Sequence, residues 1–291
     1  ELLTRGDVLA LVAPIAPGAE RELAQLAEER RVPVVGVAAA ADGGASMRYS
    51  FAVQPGLREQ VRTLVAYATR WPETSTLTVV ASDAPAYAPL AAAVSAQCER
   101  TACRRVDTHK YAAGRFDAAA ALAAHQQGAL VFIGPEADLA ALLRTADARQ
   151  TYPTVLLPGA LGARAASQAP AGFDGRVLLG MPSVPTDALA PGSPFESFRQ
   201  RHGLADGPAA SQASAYAAAV VLAEGLRRSG KGVGRDKLVA SLESLRGFGT
   251  GVVPPLSYGP DRRIGALGGY VVALDARNQG FRPLTPWLPL D

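Results

Sequence analysis

Histidine, cysteine and lysine are all scarce in this 291-residue chain, and each shortage removes a class of function. His109, His125 and His202 are its three histidines; they lie far apart, with no carboxylate or cysteine at ligand spacing, so no metal site is expected. Cys98 and Cys103 are the only cysteines, and their spacing fits neither a zinc site nor a redox CxxC pair. They flank the turn Cys98-Glu-Arg-Thr-Ala-Cys103, where a short disulfide is geometrically possible. In an oxidising compartment such a bridge would contribute about 2 kcal/mol through loop closure, whereas in the cytosol the pair would stay as two half-buried thiols. Lysine is confined to positions 110, 231 and 237, arginine supplying the other basic residues. The net charge of +3 is small for this length and is scattered along the chain, which argues against a nucleic-acid partner. No apolar run approaches the roughly 20 residues that a membrane-spanning helix needs, so a soluble chain is expected.

Catalytic and cofactor signatures are equally sparse. No G-x-S-x-G elbow is present and no cysteine sits in a nucleophile signature. Gly225-Leu-Arg-Arg-Ser-Gly-Lys-Gly232 nearly matches a phosphate-binding loop, but Gly232 stands where Ser or Thr must reach magnesium, and the segment follows a helix pattern; a glycine-capped helix end is the better reading. Glu28-Glu29 reads as solvated charge. The expectation is a protein that is not an enzyme and carries no cofactor.

What is abundant is apolar residue, 48% of the chain, enough for two cores, and the length exceeds what one small core usually organises. Short apolar runs alternate with segments of helical period through the first 180 residues, the pattern of parallel α/β sheets. Strands are expected at 9–13, 32–37, 49–53, 76–82, 104–110, 130–133, 154–157 and 176–180. Helices are expected at 18–31, 57–71, 85–97, 116–127 and 136–148. A Pro-rich passage, 181–194, reads as a crossover. Three helical segments follow at 195–202, 211–229 and 235–245, then strands at 256–258 and 269–274 separated by the polar turn Gly259-Pro-Asp-Arg-Arg263. The proline-rich tail is expected on the surface.

The order of elements, with Gly6-Asp-Val-Leu-Ala-Leu-Val-Ala-Pro14, Ala27-Glu-Glu-Arg-Arg-Val-Pro-Val-Val35, Arg48-Tyr-Ser-Phe51, Leu238-Val-Ala-Ser-Leu-Glu-Ser-Leu245, Gly251 and Leu256-Ser-Tyr-Gly-Pro260, resembles the type I periplasmic solute-binding proteins of ABC transporters, the branched-chain amino-acid-binding type. The resemblance implies two doubly wound, Rossmann-like α/β lobes joined by a three-segment hinge: 1–55 plus 183–257 as lobe one, 56–182 plus 258–291 as lobe two. Relative to the family the usual first strand-helix-strand, about 60 residues, has no counterpart, which points to a missing or separate segment. The resemblance further implies a small-molecule ligand held between the lobes, a membrane ABC permease as partner, a monomer or weak dimer, and a periplasmic location in a Gram-negative bacterium, the mature chain having lost its signal peptide.

The family's ligand loops correspond here to Ile15-Ala-Pro-Gly-Ala19 and Val37-Ala-Ala-Ala-Ala41, which places Ala16, Pro17, Gly18, Ala39 and Ala40 at the ligand without the family's hydroxyls. Backbone amides at these helix starts could still hold an anion. The family's ammonium-receiving carboxylates correspond to Arg58 and to Gly159-Ala160, none of them acidic, so a plain α-amino acid is a poor candidate ligand. Tyr87 matches the family's stacking tyrosine, with Asp83 before it and Pro135-Glu136 after another strand. A ring beside Ala and Pro loops favours an aromatic or branched carboxylate, paired with Arg58. Against this, Tyr87 could simply pack at a helix start, Arg58 and Glu136 could be solvated helix termini, and Asp83 could be a helix cap. The competing functions are a ligand sensor of the same fold, an interaction scaffold with a degenerate pocket, and a doubly wound α/β enzyme.

Overall fold

The computed structural model describes residues 6–16, 18–39, 47–183, 193–204 and 209–290. The chain divides into two compact units: unit 1 comprises Glu1–Gly56 and Ser183–Leu267, unit 2 comprises Leu57–Pro182 and Gly268–Asp291. The chain passes from one unit to the other three times.

Unit 1 is built on three parallel strands, β1 (Leu11–Val12), β2 (Val34–Ala38) and β3 (Ser50–Gln54), in that spatial order. Between β1 and β2 runs α1 (Glu20–Arg30), which buries Ala24 and Ala27 and is closed by a left-handed Arg31. Among the described residues three helices follow with no strand between them: α2 (Pro194–His202), α3 (Ala209–Ser229) and α4 (Arg235–Glu243). The alanine-rich α3 lies across all three strands, burying Ala213, Ala217, Ala218 and Val221, because small side chains let a helix approach a sheet closely. The chain after α4 returns to the sheet: Ala52 N–H donates to Arg263 O at 2.8 Å, and Gly265 N–H donates to Ala52 O at 2.8 Å. Tyr258, expected in the other lobe, belongs to this core. Its ring meets Phe51 edge to face at 5.5 Å and its hydroxyl donates to Ala52 O at 3.1 Å, so the segment 258–267 packs in unit 1. Only a single bridge, Phe248 with Leu256, forms where a strand was expected at 256–258.

Unit 2 carries one eight-stranded sheet. Its parallel part consists of β4 (Thr76–Ser82), β5 (Arg105–Tyr111), β6 (Ala129–Ile133), β7 (Thr154–Pro158) and β8 (Val177–Met181) in the order 8-7-6-4-5. Beside β8 lies β9 (Gly268–Asp275), antiparallel, with Leu178 opposite Ala273. The tail then doubles back as β10 (Gly280–Pro283) and β11 (Leu288–Pro289), both antiparallel to β9. The proline-rich tail is therefore not a surface appendage: Leu288 and Leu290 are buried. One face of the sheet is covered by α5 (Leu57–Ala68) and α6 (Ala88–Cys98). They pack Val61, Leu64, Val65, Leu90 and Val94 against Leu77, Val79, Val131 and Leu156, alternate positions of the strands. The other helices of the unit are α7 (Ala118–Ala124), α8 (Glu136–Ala148) and α9 (Gly159–Ser167). No helix was expected at 159–167; α9 contains glycines at its first and fourth residues and is kinked at Gly162, whose own Cβ would meet Leu139 and Leu157 at under 3 Å. Glycine there is a packing requirement that masks the helical pattern.

Cys98 and Cys103 form a disulfide, with 5.1 Å between their Cα atoms, tying the end of α6 to the approach of edge strand β5. No described helix is long and apolar enough to cross a membrane.

Candidate ligand-binding site

In unit 1 a cavity of about 370 Å³ lies along the sheet. It is lined by Ala13–Ala16 after β1, Leu23 and Ala24 of α1, Gly36–Ala39 of β2, Ser50–Ala52 of β3, Ala215 of α3, and Arg263. Two of the expected ligand positions, Ala16 and Ala39, line this cavity. Pro17 and Ala40 lie outside the described residues, as do most of the glycine-rich loop after β2 and the middle of the expected crossover 181–194. Gly18 is exposed in a left-handed conformation (φ 78°) and donates its N–H to Glu20 Oε1 at 3.2 Å. That bond matters for anion recognition. Glu20 and Glu22 occupy the first turn of α1, so the positive end of its dipole already faces carboxylates of this chain and is a poor receptor for a solute anion.

Polar groups in the lining are few: Glu20, Ser50, Ser211 and Arg263; the rest of the lining is apolar. Glu20 and Ser211 are exposed and Ser50 is half-buried, while the Arg263 side chain is 11% exposed. Arg263 Nη2 donates to Glu243 Oε1 at 2.7 Å, and its guanidinium stands 4.6 Å from the centre of the Phe51 ring. Its Nε and Nη1 are buried without a hydrogen-bond partner among the described residues. Sequence reasoning placed Arg263 in a polar turn and missed it, since nothing local marks it as buried.

In unit 2 Asp83, Tyr87, Pro135, Glu136, Gly159 and Ala160 follow the carboxyl ends of β4, β6 and β7, at or near the starts of the next helices, and Arg58 stands in the first turn of α5. Arg58 opens α5, half-buried, and makes no hydrogen bond or ion pair among the described residues. Asp83 is not a helix cap: α6 begins at Ala88, and Asp83 Oδ1 instead accepts from Ala113 N–H at 2.8 Å. With Asp83 N–H donating to Tyr111 O at 2.9 Å, it fastens the loop after β4 to the loop after β5. Tyr87 is the residue that precedes α6, half-buried against the unit's core; burial, then the nearby Asp138 charge, raises its hydroxyl pKa.

Beside it sit two residues that sequence reasoning did not single out. Tyr111 Oη donates to Asp138 Oδ2 at 2.9 Å, and burial followed by that bond lifts the phenol far above its ordinary range. Tyr111 is thus a fixed donor, not a titrating group. The closeness depends on Gly134, where an added Cβ would stand 2.1 Å from Tyr111 Oη. Phe116 continues the aromatic group, 4.7 Å from Tyr111 and 5.9 Å from Phe132.

Pro135 precedes α8, and Glu136 opens it. Glu136 Oε1 accepts from Ala165 N–H at 2.9 Å and Oε2 from Arg164 at 2.8 Å, which together hold its carboxyl pKa below the usual range. These bonds pin α9 to the start of α8, a structural task that occupies both oxygens. Gly159 is buried, and a Cβ on it would collide with Met181 Sδ at 2.0 Å; Ala160 next to it is exposed. Among the described residues no group of three or more His, Cys, Asp or Glu is placed to hold a metal.

The family model of the periplasmic binding proteins matches residues 1–279 of this sequence. The chain belongs to the periplasmic binding protein family. The periplasmic binding proteins are solute-binding proteins, not enzymes, and the fold is their type I architecture. Solved structures with the same fold include a leucine-binding protein from Thermotoga maritima, 18% identical with a TM-score of 0.74, covering 99% of this chain and 81% of that one. A fatty acid ABC transporter substrate-binding protein from Thermomonospora curvata is 12% identical with a TM-score of 0.69, covering 95% and 74%. An ABC transporter solute-binding protein from R. palustris in complex with benzoate is 15% identical with a TM-score of 0.69, covering 100% and 81%. No curated protein matches the sequence.

Proposed function

We propose that this periplasmic binding protein captures a small apolar solute, a branched or aromatic carboxylate and not a plain α-amino acid, and delivers it to a membrane ABC permease from the periplasm of a Gram-negative bacterium. The observation that carries the reading is the chemistry of the unit 1 cavity. Its volume of about 370 Å³ falls in the range of small-molecule sites, and its lining is apolar apart from four residues. Affinity would then come mainly from removing apolar solute surface from water, at roughly 25 cal/mol per Å².

An α-ammonium taken out of water needs a carboxylate partner, and without one the loss is several kcal/mol. Glu20 is the one acid of the lining among the described residues, and it sits in the exposed first turn of α1, already accepting from Gly18. Arg58, Gly159 and Ala160 supply no acid at the corresponding positions of unit 2. The names of the relatives are consistent with a family that accommodates fatty acid, benzoate and amino acid ligands on one fold.

A thermal-shift screen of apolar carboxylates, their amides and the corresponding α-amino acids tests the proposal, because a ligand that binds only the folded state raises the melting temperature. Apolar carboxylates are expected to give the largest shifts. Leucine or another plain amino acid giving the largest shift would overturn it.

A further inference from the structure

We propose that Arg263 is the head-group anchor of the unit 1 cavity, taking the carboxylate of a solute whose apolar body lies along the residues that follow β1, from Ala13 to Ala16, and along Gly36 and Ala38 of β2. The inference deepens the function proposed above and rests on it. A guanidinium has five N–H donors and no acceptor, and buried donors are normally paired. Arg263 is mostly buried, yet its Nε and Nη1 find no partner among the described residues, and the side chain lines an otherwise apolar cavity. Phe51 holds the guanidinium in place from its ring face, and Glu243 engages only Nη2. Both contacts fix the cation and leave Nε and Nη1 unbonded; the two atoms are closed to water, so a carboxylate reaches them by displacing the side chains around them.

The class of acceptor follows from charge. A carboxylate adds the attraction of opposite charges to the hydrogen bonds that a neutral carbonyl can also accept from a guanidinium, so an acid outcompetes its amide. Glu243 is the competing anion: it lowers the net charge at the anchor, and its removal exposes the full cation. Glu20, the acid of the described lining, is exposed and makes no bond to Nε or Nη1 of Arg263.

Calorimetric titration of the full chain with 4-methylpentanoate, 3-phenylpropanoate and octanoate, each beside its primary amide, reads the anchor directly. At least one acid is expected to bind about ten- to a hundredfold more tightly than its amide, the worth of hydrogen bonds to a charged group. Arg263→Gln is expected to abolish that preference while leaving the amide's affinity within a few fold. Glu243→Gln, which removes the fixed partner and keeps the cation, is expected to bind the acid at least as tightly as the parent. Were Arg263 only a structural partner of Glu243, both substitutions would weaken acid and amide alike. That result overturns the anchor, as does an acid preference surviving in Arg263→Gln or the binding of none of the three acids. A neutral solute found by thermal shift in place of an acid would remove the anchor and leave solute capture standing.

Discussion

Reducing the Cys98–Cys103 disulfide is expected to lower the stability of unit 2 by about 2 kcal/mol. The two residues are five apart in sequence, so the bridge closes a short loop, and the chain-entropy relation for a loop of that size gives roughly 2 kcal/mol at 25 °C. The native contacts argue that little of this is lost to relaxation. Cys98 is buried in the core packed around α5 and α6, whereas Cys103 leads into β5, an edge strand with a neighbour on one side only. Without the bridge, the edge strand keeps its pairing with β4 from Thr76 to Ser82 but loses its tether to α6. For a unit of this size the change corresponds to a fall in melting temperature of about 4–8 °C. Differential scanning calorimetry with and without a thiol reductant measures it, and a Cys98→Ser, Cys103→Ser double variant separates the bridge from other effects of the reductant. Both cysteines lie in unit 2, so a transition belonging to unit 1 is expected to stay where it is. A melting temperature unchanged within 1 °C in both experiments would refute the loop-closure reasoning.

Gly180→Ala is expected to destabilise unit 2 by about 1–3 kcal/mol in urea denaturation, because an added Cβ would stand 2.5 Å from the backbone oxygen of Gln60 and force α5 off the sheet. Gly280→Ala, whose nearest new neighbour is at 3.7 Å, is the control and is expected to stay within about 0.5 kcal/mol. Burial lowers the pKa of His125, which stands 3.3 Å from Thr78 Oγ1. Its folded-state pKa lies below the unfolded value near 6.5, so the stability tied to its neutral ring is complete above about pH 6.5 and is lost as pH falls towards the folded pKa. His125→Asn is expected to flatten that part of the stability–pH curve, and an imidazole titrating above 6.5 by NMR would contradict the sign.

Much of the fold is legible in the sequence because its elements carry their own periodicity and punctuation. The strand over Thr76–Ser82 and the helix over Glu136–Ala148 stand where their apolar patterns place them, the first bounded by Pro72 and the second opened by Pro135. The misses have local causes. The helix at Gly159–Ser167 carries glycines demanded by Leu139, Leu157 and Met181, so its sequence reads as a loop. The tail reads as surface because of its prolines, yet β10 lies at the sheet edge, where a missing N–H costs little, and Leu288 reaches the core. Of the cavity lining, the sequence singled out the loops carrying Ala16 and Ala39. It was not legible in Arg263, whose burial depends on Phe51 and Glu243, both distant in sequence, nor in the Tyr111–Asp138 pair, which forms only when β5 and α8 meet. Glu136 was singled out for its place at a helix start, and its bonds to Arg164 and Ala165, 28 and 29 residues on, are contacts that the sequence does not announce.

Calorimetric titration of the chain, at several temperatures, with whichever apolar carboxylate most raises its melting temperature tests the central claim most directly. Capture in the apolar cavity predicts saturation at one solute per chain with a negative heat-capacity change, the mark of apolar surface leaving water. Saturable binding with no heat-capacity change, or no saturable binding at all, would contradict it.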